Sequence, residues 1–308
     1  MASLSPVSQL QGTIAVLGAG SLGRLWAARL PAGMTGFVRR ADRYQTGAHL
    51  TYHLESTDHH TSRIERPWLD DLSNCALLLV TTKAGDAVGA LRDIMDGLPA
   101  QCPLVLFQNG MGSQQQVAGQ WPDRSVLAAS TTEAANRPDD TRVVHAATGQ
   151  TWVGPLTQSA VSTTDQVVSS LARSGLSVQA EHNILSRLWA KLVINAGINP
   201  FTALLDCPNG DILRQPLYLD CIDPLCAELA ALMEAEEMGP QDPAKLRIQV
   251  EQVAAATARN TSSMRADVKR GRPTEIDFIN GYVATQSGEL GLAAPVNRNL
   301  TERVKALV

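Results

Sequence analysis

The sequence has few aromatic residues and no large excess of charge of either sign. Phe, Trp and Tyr make up 4% of the 308 residues, and 26 Lys and Arg against 30 Asp and Glu give a formal net charge of −4. Nucleic-acid-binding proteins usually carry a basic surface, and single-stranded nucleic acid usually stacks on aromatic side chains. We therefore expect neither a nucleic-acid partner nor attraction to an anionic membrane surface.

The sequence also has no long apolar run. No window approaches the roughly 20 apolar residues that a membrane-spanning helix needs. The first residues, MASLSPVSQLQG, have neither the charged start nor the apolar stretch of a signal peptide. We expect a cytoplasmic protein without a membrane segment.

Cysteine is scarce, and its spacing fits neither a zinc site nor a redox pair. His59 and His60 fall in a polar segment that favours a solvated loop over a metal site. We therefore predict no metal site, and we expect reduced, mostly buried thiols. The five cysteines are Cys75, Cys102, Cys207, Cys221 and Cys226.

The first part of the chain has the pattern of an α/β domain. Short apolar runs alternate with helical segments from residue 12 to about residue 180, which is typical of a doubly wound sheet. A run such as CALLLVTT is apolar throughout, as expected for a strand buried on both faces. The predicted strands cover residues 13–18, 35–40, 75–82, 103–110, 125–131 and 176–180, with a hairpin over 142–154 that turns at Thr148-Gly149.

The second part of the chain has the pattern of an all-helical domain. Strand signals stop after about residue 181, and helices are predicted over residues 184–196, 216–238, 245–260 and 276–290. At about 150 residues per domain, the length also suggests two domains. We predict a Rossmann-type dinucleotide-binding domain over residues 1–180 and an all-α domain with the substrate and catalytic residues over 181–308.

A glycine-rich motif follows the first predicted strand and opens a predicted helix. In this context G-x-G-x-x-G is typical of a dinucleotide site. The first glycine makes the turn, the second lets the backbone approach the pyrophosphate, and the third lets helix and strand pack closely. The helix N-terminus then offers N–H groups to the phosphates. The motif is Gly18, Ala19, Gly20, Ser21, Leu22 and Gly23.

Two arginines at the end of the second predicted strand indicate which dinucleotide binds. NAD sites usually carry an acidic residue there, whereas this chain has Arg39 and Arg40. An arginine can neutralise a 2′-phosphate and hydrogen-bond it. We therefore predict NADP(H), although a pair of solvated arginines is the alternative, more so for Arg40 than for Arg39.

Polar residues follow two neighbouring predicted strands. Lys83 follows the strand over 75–82 in VTTKAGD, and Asn109 follows the apolar residues of the next strand in FQNGMG. Ligands of parallel sheets bind at the carboxyl ends of the strands. The two residues are therefore candidates for ligand contacts, and ordinary loop polarity is the alternative.

A lysine and two asparagines recur every fourth residue in an otherwise apolar helical segment. Lys191, Asn195 and Asn199 line one side of the predicted helix in RLWAKLVINAGINPF, and Pro200 is expected to kink or end it. Buried amides and lysines need partners. Amides that serve only the helix structure are the alternative, which explains Lys191 less well.

A second polar cluster lies nearer the C-terminus. Asn260, Ser262 and Ser263 occur together, and Glu275 is predicted to open a helix after Pro273-Thr274. Glu275 could be catalytic, or it could merely complement the helix dipole. In addition, Asp277 could close a capping box with Thr274.

At these residues the sequence resembles the ketopantoate reductase (2-dehydropantoate 2-reductase) family, over nearly the whole chain. The resemblance implies a Rossmann domain followed by a helical domain. It also implies reduction of ketopantoate to pantoate by NADPH in pantothenate biosynthesis. The motifs that carry it are VLGAGSLG, VTTKAGD, QNGMG, WAKLVINAGINPFTAL, CPNGDIL, NTSSM and PTEIDFINGY.

The resemblance further implies roles for individual residues. Lys191 matches the general acid, and Glu275 matches the acidic residue near Lys191 and the nicotinamide. Beside the glycine motif, the implied cofactor contacts are Arg39, Lys83, Asn109, Ala135 and Glu275. The implied substrate contacts are Asn109, Lys191, Asn195, Asn199, Asn209, Asn260 and Ser263.

Two other functions stay open at this stage. One is an NADP-dependent reductase of another branched 2-keto acid, and the other is a dinucleotide sensor without catalysis. A sensor would not need both Lys191 and Glu275. We expect a small-molecule 2-keto acid as the substrate and a monomer or homodimer as the assembly.

Overall fold

The computed structural model describes residues 10–40 and 47–308, which divide into two compact units. The first unit contains the described residues up to Gln108 together with Ser113–Ile184. The second contains Asn109–Gly112 and Leu185–Val308. Within the described ranges no helix is long and apolar enough to cross a membrane, and no three acidic, His or Cys residues could jointly hold a metal ion.

The described residues of the first unit form one mixed sheet, five α-helices and short 3₁₀ turns over Ala32–Met34, Ala84–Asp86 and Met95–Gly97. The strands are β1 Thr13–Leu17, β2 Thr35–Val38, β3 His49–Glu55, β4 Thr61–Leu69, β5 Cys75–Val80, β6 Leu104–Leu106, β7 Val126–Thr131, β8 Ala134–Asn136, β9 Arg142–Ala147, β10 Gln150–Pro155 and β11 Ser177–Ala180. The helices are α1 Ser21–Arg29, α2 Ala87–Arg92, α3 Ser113–Gln120, α4 Gln158–Val161 and α5 Thr164–Ala172.

The centre of this sheet is parallel and buried on both faces. The strand order is β11-β10-β7-β6-β5-β1-β2-β4-β3-β9-β8, and the neighbours from β7 to β4 are all parallel. Every residue of β2, β6 and β7 is buried, as the unbroken apolar runs predict. One apolar cluster packs on each face of the sheet. The predicted Rossmann-type architecture is confirmed.

The predicted hairpin over residues 142–154 is wrong. β10 pairs antiparallel with β7 and parallel with β11, whereas β9 pairs antiparallel with β8 and parallel with β3. Gly149 is not a hairpin turn residue. A Cβ there would lie 2.4 Å from the carbonyl carbon of Thr132, so a close backbone approach accounts for the glycine.

The antiparallel pair of β3 and β4 is not among the strands predicted from the sequence. Both strands have largely polar outer faces, and the pairing runs from His49 opposite Pro67 to Glu55 opposite Thr61. The apolar alternation is short, because Tyr52 and Leu54 are the buried side chains of β3. His59 lies in the turn between the two strands, in the polar loop expected there.

The second unit is helical. Its longest helix, α6, continues through Pro200 instead of ending at residue 196, and Gly197 lets it pack closely against Val250. Short 3₁₀ turns cover Asn209–Arg214 and Ile276–Phe278. The α-helices are α6 Ile184–Leu204, α7 Pro216–Ala235, α8 Pro243–Ala256, α9 Ser263–Val268, α10 Asn280–Glu289 and α11 Pro295–Lys305.

The helix predicted over residues 276–290 is interrupted. Ile279 has φ −109° and ψ −94°, which separates the 3₁₀ turn from α10. Glu275 therefore precedes a 3₁₀ turn and does not open an α-helix. Nor does Asp277 close a capping box, because its carboxylate accepts from Lys305 Nζ at 3.0 Å.

Candidate active site

The glycine motif in the first unit connects β1 to α1, and two of its glycines are required by close contacts. Gly18 has φ +114°, and a Cβ there would lie 2.7 Å from the backbone nitrogen of Thr82. A Cβ at Gly23 would lie 2.1 Å from the carbonyl oxygen of Gly18. The turn and the close packing of helix on strand therefore both depend on glycine.

The middle of the motif is open. A Cβ on Gly20 would meet no atom within 4 Å, so this side of the loop has room for a ligand to approach the backbone. α1 begins directly after Gly20. No side chain caps the N–H groups at the start of this helix, and its first turn has no acidic residue. Such a helix start offers N–H groups and a positive dipole end to an anion. The loop therefore fits a pyrophosphate.

Two arginines that were not predicted as site residues bind the same loop. The carbonyl oxygen of Ala19 accepts from Arg24 Nε at 3.0 Å and from Arg137 Nη1 at 3.2 Å. Burial, and then the nearby charge of Arg137, lower the pKa of Arg24. Two cations beside the loop suit an anionic ligand. Only Arg24 could have been found from the sequence, since it directly follows the motif.

The carboxyl ends of β5 and β6 carry unpaired polar atoms. Thr81 Oγ1 donates to the carbonyl oxygen of Gly18 at 2.7 Å, and Gln108 Nε2 donates to the carbonyl oxygen of Thr82 at 3.1 Å. Thr82 Oγ1 and Gln108 Oε1 are buried and have no hydrogen-bond partner among the described residues. Lys83 follows directly, at the start of a 3₁₀ turn. Buried unpaired groups at this edge favour a bound polar ligand.

Arg39 lies at the predicted position just after β2, and an acidic residue accompanies it. Its Nε donates to Asp70 Oδ1 at 2.6 Å, its Nη2 donates to the carbonyl oxygen of Gly47 at 3.0 Å, and its guanidinium lies 5.9 Å from the ring centre of Trp68. The Arg39 side chain is 27% exposed, so its cation can still meet a ligand. Asp70 directly follows β4, a strand that was not predicted from the sequence.

Ala135 lies in β8, opposite His145 of β9. His145 Nε2 lies 2.6 Å from Glu133 Oε2, and both side chains are almost fully buried. Arg29 Nη2 lies 3.3 Å from His145 Nδ1. Since a guanidinium can only donate, Nδ1 accepts and Nε2 carries the proton that is donated to Glu133. The Glu133 carboxylate thus accepts a hydrogen bond from His145 within the first unit.

In the second unit, three of the predicted residues come together. Asn109 Nδ2 donates to Glu275 Oε2 at 3.0 Å. Lys191, on α6, is close enough to Glu275 for their charges to interact. Burial lowers the pKa of Lys191 to about 8, and the carboxylate of Glu275 limits the fall. A half-buried ammonium, a carboxylate and an amide therefore share one location.

The turn beside Glu275 holds the segment that carries Asn109. Met111 N donates to the carbonyl oxygen of Phe278 at 2.8 Å. Gly110 has φ +79°, and a Cβ there would lie 2.1 Å from the same oxygen. Glycine at position 110 therefore lets the backbone press against this turn and brings the Asn109 amide to Glu275.

Asn195 and Asn199 lie along the same side of α6 as Lys191. Asn195 is half-buried and Asn199 is buried. No side-chain hydrogen bond joins either amide to another residue of the described part of the chain. Neither amide is among the buried polar atoms without a partner, so both stay accessible to solvent or to a ligand.

Asn209 and Asn260 are held together by a backbone hydrogen bond. Asn209 N donates to the carbonyl oxygen of Asn260 at 3.1 Å, and Asn209 Nδ2 donates to Thr257 Oγ1 at 2.9 Å. Asn209 Oδ1 is buried and has no partner among the described residues. This oxygen is an unused hydrogen-bond acceptor.

The two adjacent serines have different surroundings. Ser262 is buried, caps α9 by accepting from Arg265 N at 3.0 Å, and lies 2.7 Å from Thr202 Oγ1. Thr202 Oγ1 in turn donates to the carbonyl oxygen of Asn199 at 2.8 Å. Ser263 is exposed at the first residue of α9. Ser262 is therefore committed to the structure, whereas the hydroxyl of Ser263 faces solvent.

Known proteins resemble the chain over nearly its whole length. Residues 14–158 match the family model described as ketopantoate reductase PanE/ApbA, and residues 183–308 match its C-terminal model. The 2-dehydropantoate 2-reductase of Vibrio cholerae is 35% identical over 295 residues, covering 96% of this chain and 97% of that protein. The enzyme of the same name from Salmonella typhimurium is 36% identical over 302 residues, covering 95% and 94%.

Solved structures share the fold. The probable 2-dehydropantoate 2-reductase PanE of Bacillus subtilis is 26% identical, with a TM-score of 0.78, and the match covers 96% of this chain and all 100% of that chain. A D-mandelate dehydrogenase solved with NADH and anilino(oxo)acetate has a TM-score of 0.85 at 21% identity, with coverage of 96% and 97%. The latter likeness concerns the fold alone. The family models and the relatives above 30% identity lead to one conclusion: the chain belongs to the ketopantoate reductase PanE/ApbA family.

Proposed function

We propose that this protein reduces 2-dehydropantoate (ketopantoate) to pantoate with NADPH, in pantothenate biosynthesis. The observation that carries the proposal is the grouping of Lys191, Glu275 and Asn109 in a chain 35% identical to the 2-dehydropantoate 2-reductase of Vibrio cholerae. A half-buried ammonium beside a carboxylate suits acid catalysis at a carbonyl.

The first unit would hold the cofactor. The open side of Gly20, the uncapped start of α1 and the two arginines on Ala19 support binding of the pyrophosphate. Arg39 would pair with the 2′-phosphate of NADP(H). When bound, the dihydronicotinamide supplies a hydride from C4 to the 2-keto carbon. The proposed cofactor contacts are Gly18, Ala19, Gly20, Ser21, Leu22, Gly23, Arg39, Lys83, Asn109, Ala135 and Glu275.

Lys191 would be the general acid. Negative charge develops on the carbonyl oxygen as the carbonyl is reduced, and an ammonium can both stabilise and protonate that oxygen. A pKa of about 8 keeps most Lys191 side chains protonated near neutral pH and still lets them release a proton. Glu275 supports the ammonium electrostatically, and Asn109 Nδ2 orients Glu275.

The remaining polar side chains of the second unit would bind the substrate. The amides of Asn195 and Asn199 and the unpaired Oδ1 of Asn209 suit the 4-hydroxyl and carbonyl groups of a hydroxylated keto acid. The exposed Ser263 hydroxyl suits the carboxylate, with Asn260 beside it. The proposal accordingly assigns residues 1–180 to NADP binding and residues 181–308 to the substrate.

We further propose a cellular location and an assembly for this protein. All five cysteines are free, which supports a compartment that keeps thiols reduced, such as the cytoplasm. A ketopantoate reductase from Staphylococcus aureus is described as dimeric, and it shares the fold at 19% identity with a TM-score of 0.80. A monomer or homodimer is the proposed assembly.

The test mixes purified protein, NADPH and ketopantoate and follows the absorbance of the reduced nicotinamide. We expect oxidation that needs both substrates and falls sharply in Lys191→Ala. Oxidation with another branched 2-keto acid but not with ketopantoate would replace the proposal with a related reductase. Tight NADPH binding without turnover on any keto acid would replace it with a sensor.

A further inference from the structure

Pro200 removes one hydrogen bond from the middle of α6. In a regular helix the N–H of residue 200 would donate to the carbonyl oxygen of Ala196, but proline has no N–H. α6 nevertheless continues to Leu204, and Ala196 is fully buried. Its carbonyl oxygen therefore needs another donor, because an unpaired buried carbonyl is destabilising.

Asn280 supplies that donor. Its Nδ2 donates to the carbonyl oxygen of Ala196 at 3.2 Å and to Asn297 Oδ1 at 2.9 Å. Asn280 is fully buried at the first residue of α10, 84 positions away from Ala196. Both hydrogens of one side-chain amide are thus committed, and one of them replaces the hydrogen bond that Pro200 lacks.

Further buried groups fix the position of Asn280. Asn297 is fully buried, and its Nδ2 donates to Glu228 Oε2 at 2.7 Å. The Glu228 carboxylate also accepts from the backbone N–H groups of Val296 at 2.8 Å and Asn297 at 3.0 Å, in the first turn of α11. Glu228 thereby connects α7 to α11, and the two asparagines extend the connection through α10 to α6.

The missing helical hydrogen bond lies between the two turns of α6 that carry the proposed substrate contacts Asn195 and Asn199. Ala196 directly follows Asn195, and Pro200 directly follows Asn199, so the bond would have joined the two turns that carry these amides. We propose that Asn280 is a positioning residue, which holds the backbone of α6 in the course that aims Asn195 and Asn199 at the keto acid. This inference rests on the proposed function for its substrate, but its structural part does not.

The structural part is tested with Asn280→Ala, Pro200→Ala and the double variant. Pro200→Ala restores an N–H to position 200, so the carbonyl of Ala196 no longer depends on Asn280. We expect Asn280→Ala to lower the Tm by several degrees in the wild-type background and by clearly less in the Pro200→Ala background. The contact to Asn297 is lost equally in both backgrounds and cancels in the comparison.

The functional part is tested by kinetics and binding. Asn280→Ala should raise KM for ketopantoate about tenfold or more and leave the Kd of NADPH, measured by fluorescence titration, within about twofold. The double variant should have a KM between that of Asn280→Ala and that of the wild type. Leu300→Ala is the matched control, because it opens a cavity at a fully buried position of α11 and removes none of the hydrogen bonds that involve Asn280, Asn297 and Glu228. It should lower the Tm and leave KM unchanged.

Each outcome decides one part. Equal Tm losses in the two backgrounds would overturn the pairing of Asn280 with the Ala196 carbonyl. A coupled Tm loss with an unchanged KM in an active enzyme, or a KM rise in Leu300→Ala equal to that in Asn280→Ala, would overturn the positioning role. If the wild type binds NADPH but does not reduce ketopantoate, the proposed function fails, and the positioning role for this substrate is overturned with it. The Tm cycle then still decides the pairing.

Discussion

The charge state of Lys191 can be followed through the pH dependence of ketopantoate reduction. Burial lowers the pKa of Lys191 to about 8, and Glu275 raises it. A group with this pKa is about 90% protonated at pH 7 and about 10% at pH 9. If Lys191 is the general acid, kcat/KM for the keto acid should be level below pH 8 and fall about tenfold per pH unit above it.

Two substitutions test this assignment. Lys191→Ala should lower kcat by about 10²- to 10⁴-fold, the usual size of an acid–base contribution, and should remove the alkaline limb of the profile. Glu275→Gln removes the charge that raises the pKa of Lys191, so it should move the limb to lower pH. NADPH labelled with deuterium at the transferred position shows at each pH whether hydride transfer limits the rate.

Stability against pH separates catalysis from a purely structural ion pair. The pKa of Lys191 is lowered from 10.5 on folding, so the unfolded chain binds more protons between about pH 8 and pH 10.5. The contribution of Lys191 to stability therefore increases with pH across that window, and Lys191→Ala should lack the increase. A lysine held mainly by Glu275 would have a raised pKa and the opposite slope. Loss of Tm in Lys191→Ala with near-normal hydride transfer, or an alkaline limb that survives in that variant, would refute the reasoning.

Three further predictions concern the cofactor and substrate contacts. Arg39→Ala should weaken NADPH binding about 10- to 150-fold, because it loses one charge-assisted hydrogen bond of about 1.5–3 kcal/mol, and should leave NADH binding little changed. The control variant Arg40→Ala should bind both cofactors nearly as the wild type does. Equal losses of NADPH and NADH binding in Arg39→Ala would contradict the prediction. Gly20→Val should keep the wild-type Tm, because φ −74° and ψ −170° suit any residue and its Cβ meets no protein atom, yet abolish binding of either dinucleotide in a titration. Normal NADPH binding would mean that the loop is not the pyrophosphate site. Asn209→Leu should raise KM for the keto acid without changing the Kd of NADPH, and an unchanged KM would mean that the unpaired Oδ1 does not contact the substrate.

Local patterns in the sequence predicted much of the architecture. The central strands were recognisable because burial on both faces leaves an unbroken apolar run in a single segment. The glycine motif was recognisable because its spacing is local to one strand–turn–helix unit, within which a Cβ at Gly23 would meet the carbonyl oxygen of Gly18. The spacing of Lys191, Asn195 and Asn199 predicted one side of a helix because helical periodicity is also local.

Strand pairing was beyond the reach of such patterns. The segment over residues 142–154 was interpreted as a hairpin because two apolar runs flank a Thr-Gly pair, but β9 and β10 find their partners elsewhere in the sheet. Hydrogen bonding between strands joins segments distant in sequence, and an alternating pattern does not specify which segment lies opposite. β3 and β4 were not predicted because their largely polar faces leave only a short apolar alternation.

For the candidate site, too, the residue types follow from the sequence, whereas the contacts between them depend on the tertiary structure. The sequence alone determined which reactive groups are present: the glycine motif, Lys191, Glu275 and the asparagines that mark the family. Only the tertiary structure decided that Asn109 pairs with Glu275 across 166 positions and that Asn280 completes the helix at Pro200. It also decided the lowered pKa of Lys191, because desolvation and a neighbouring carboxylate come from distant segments that folding brings together.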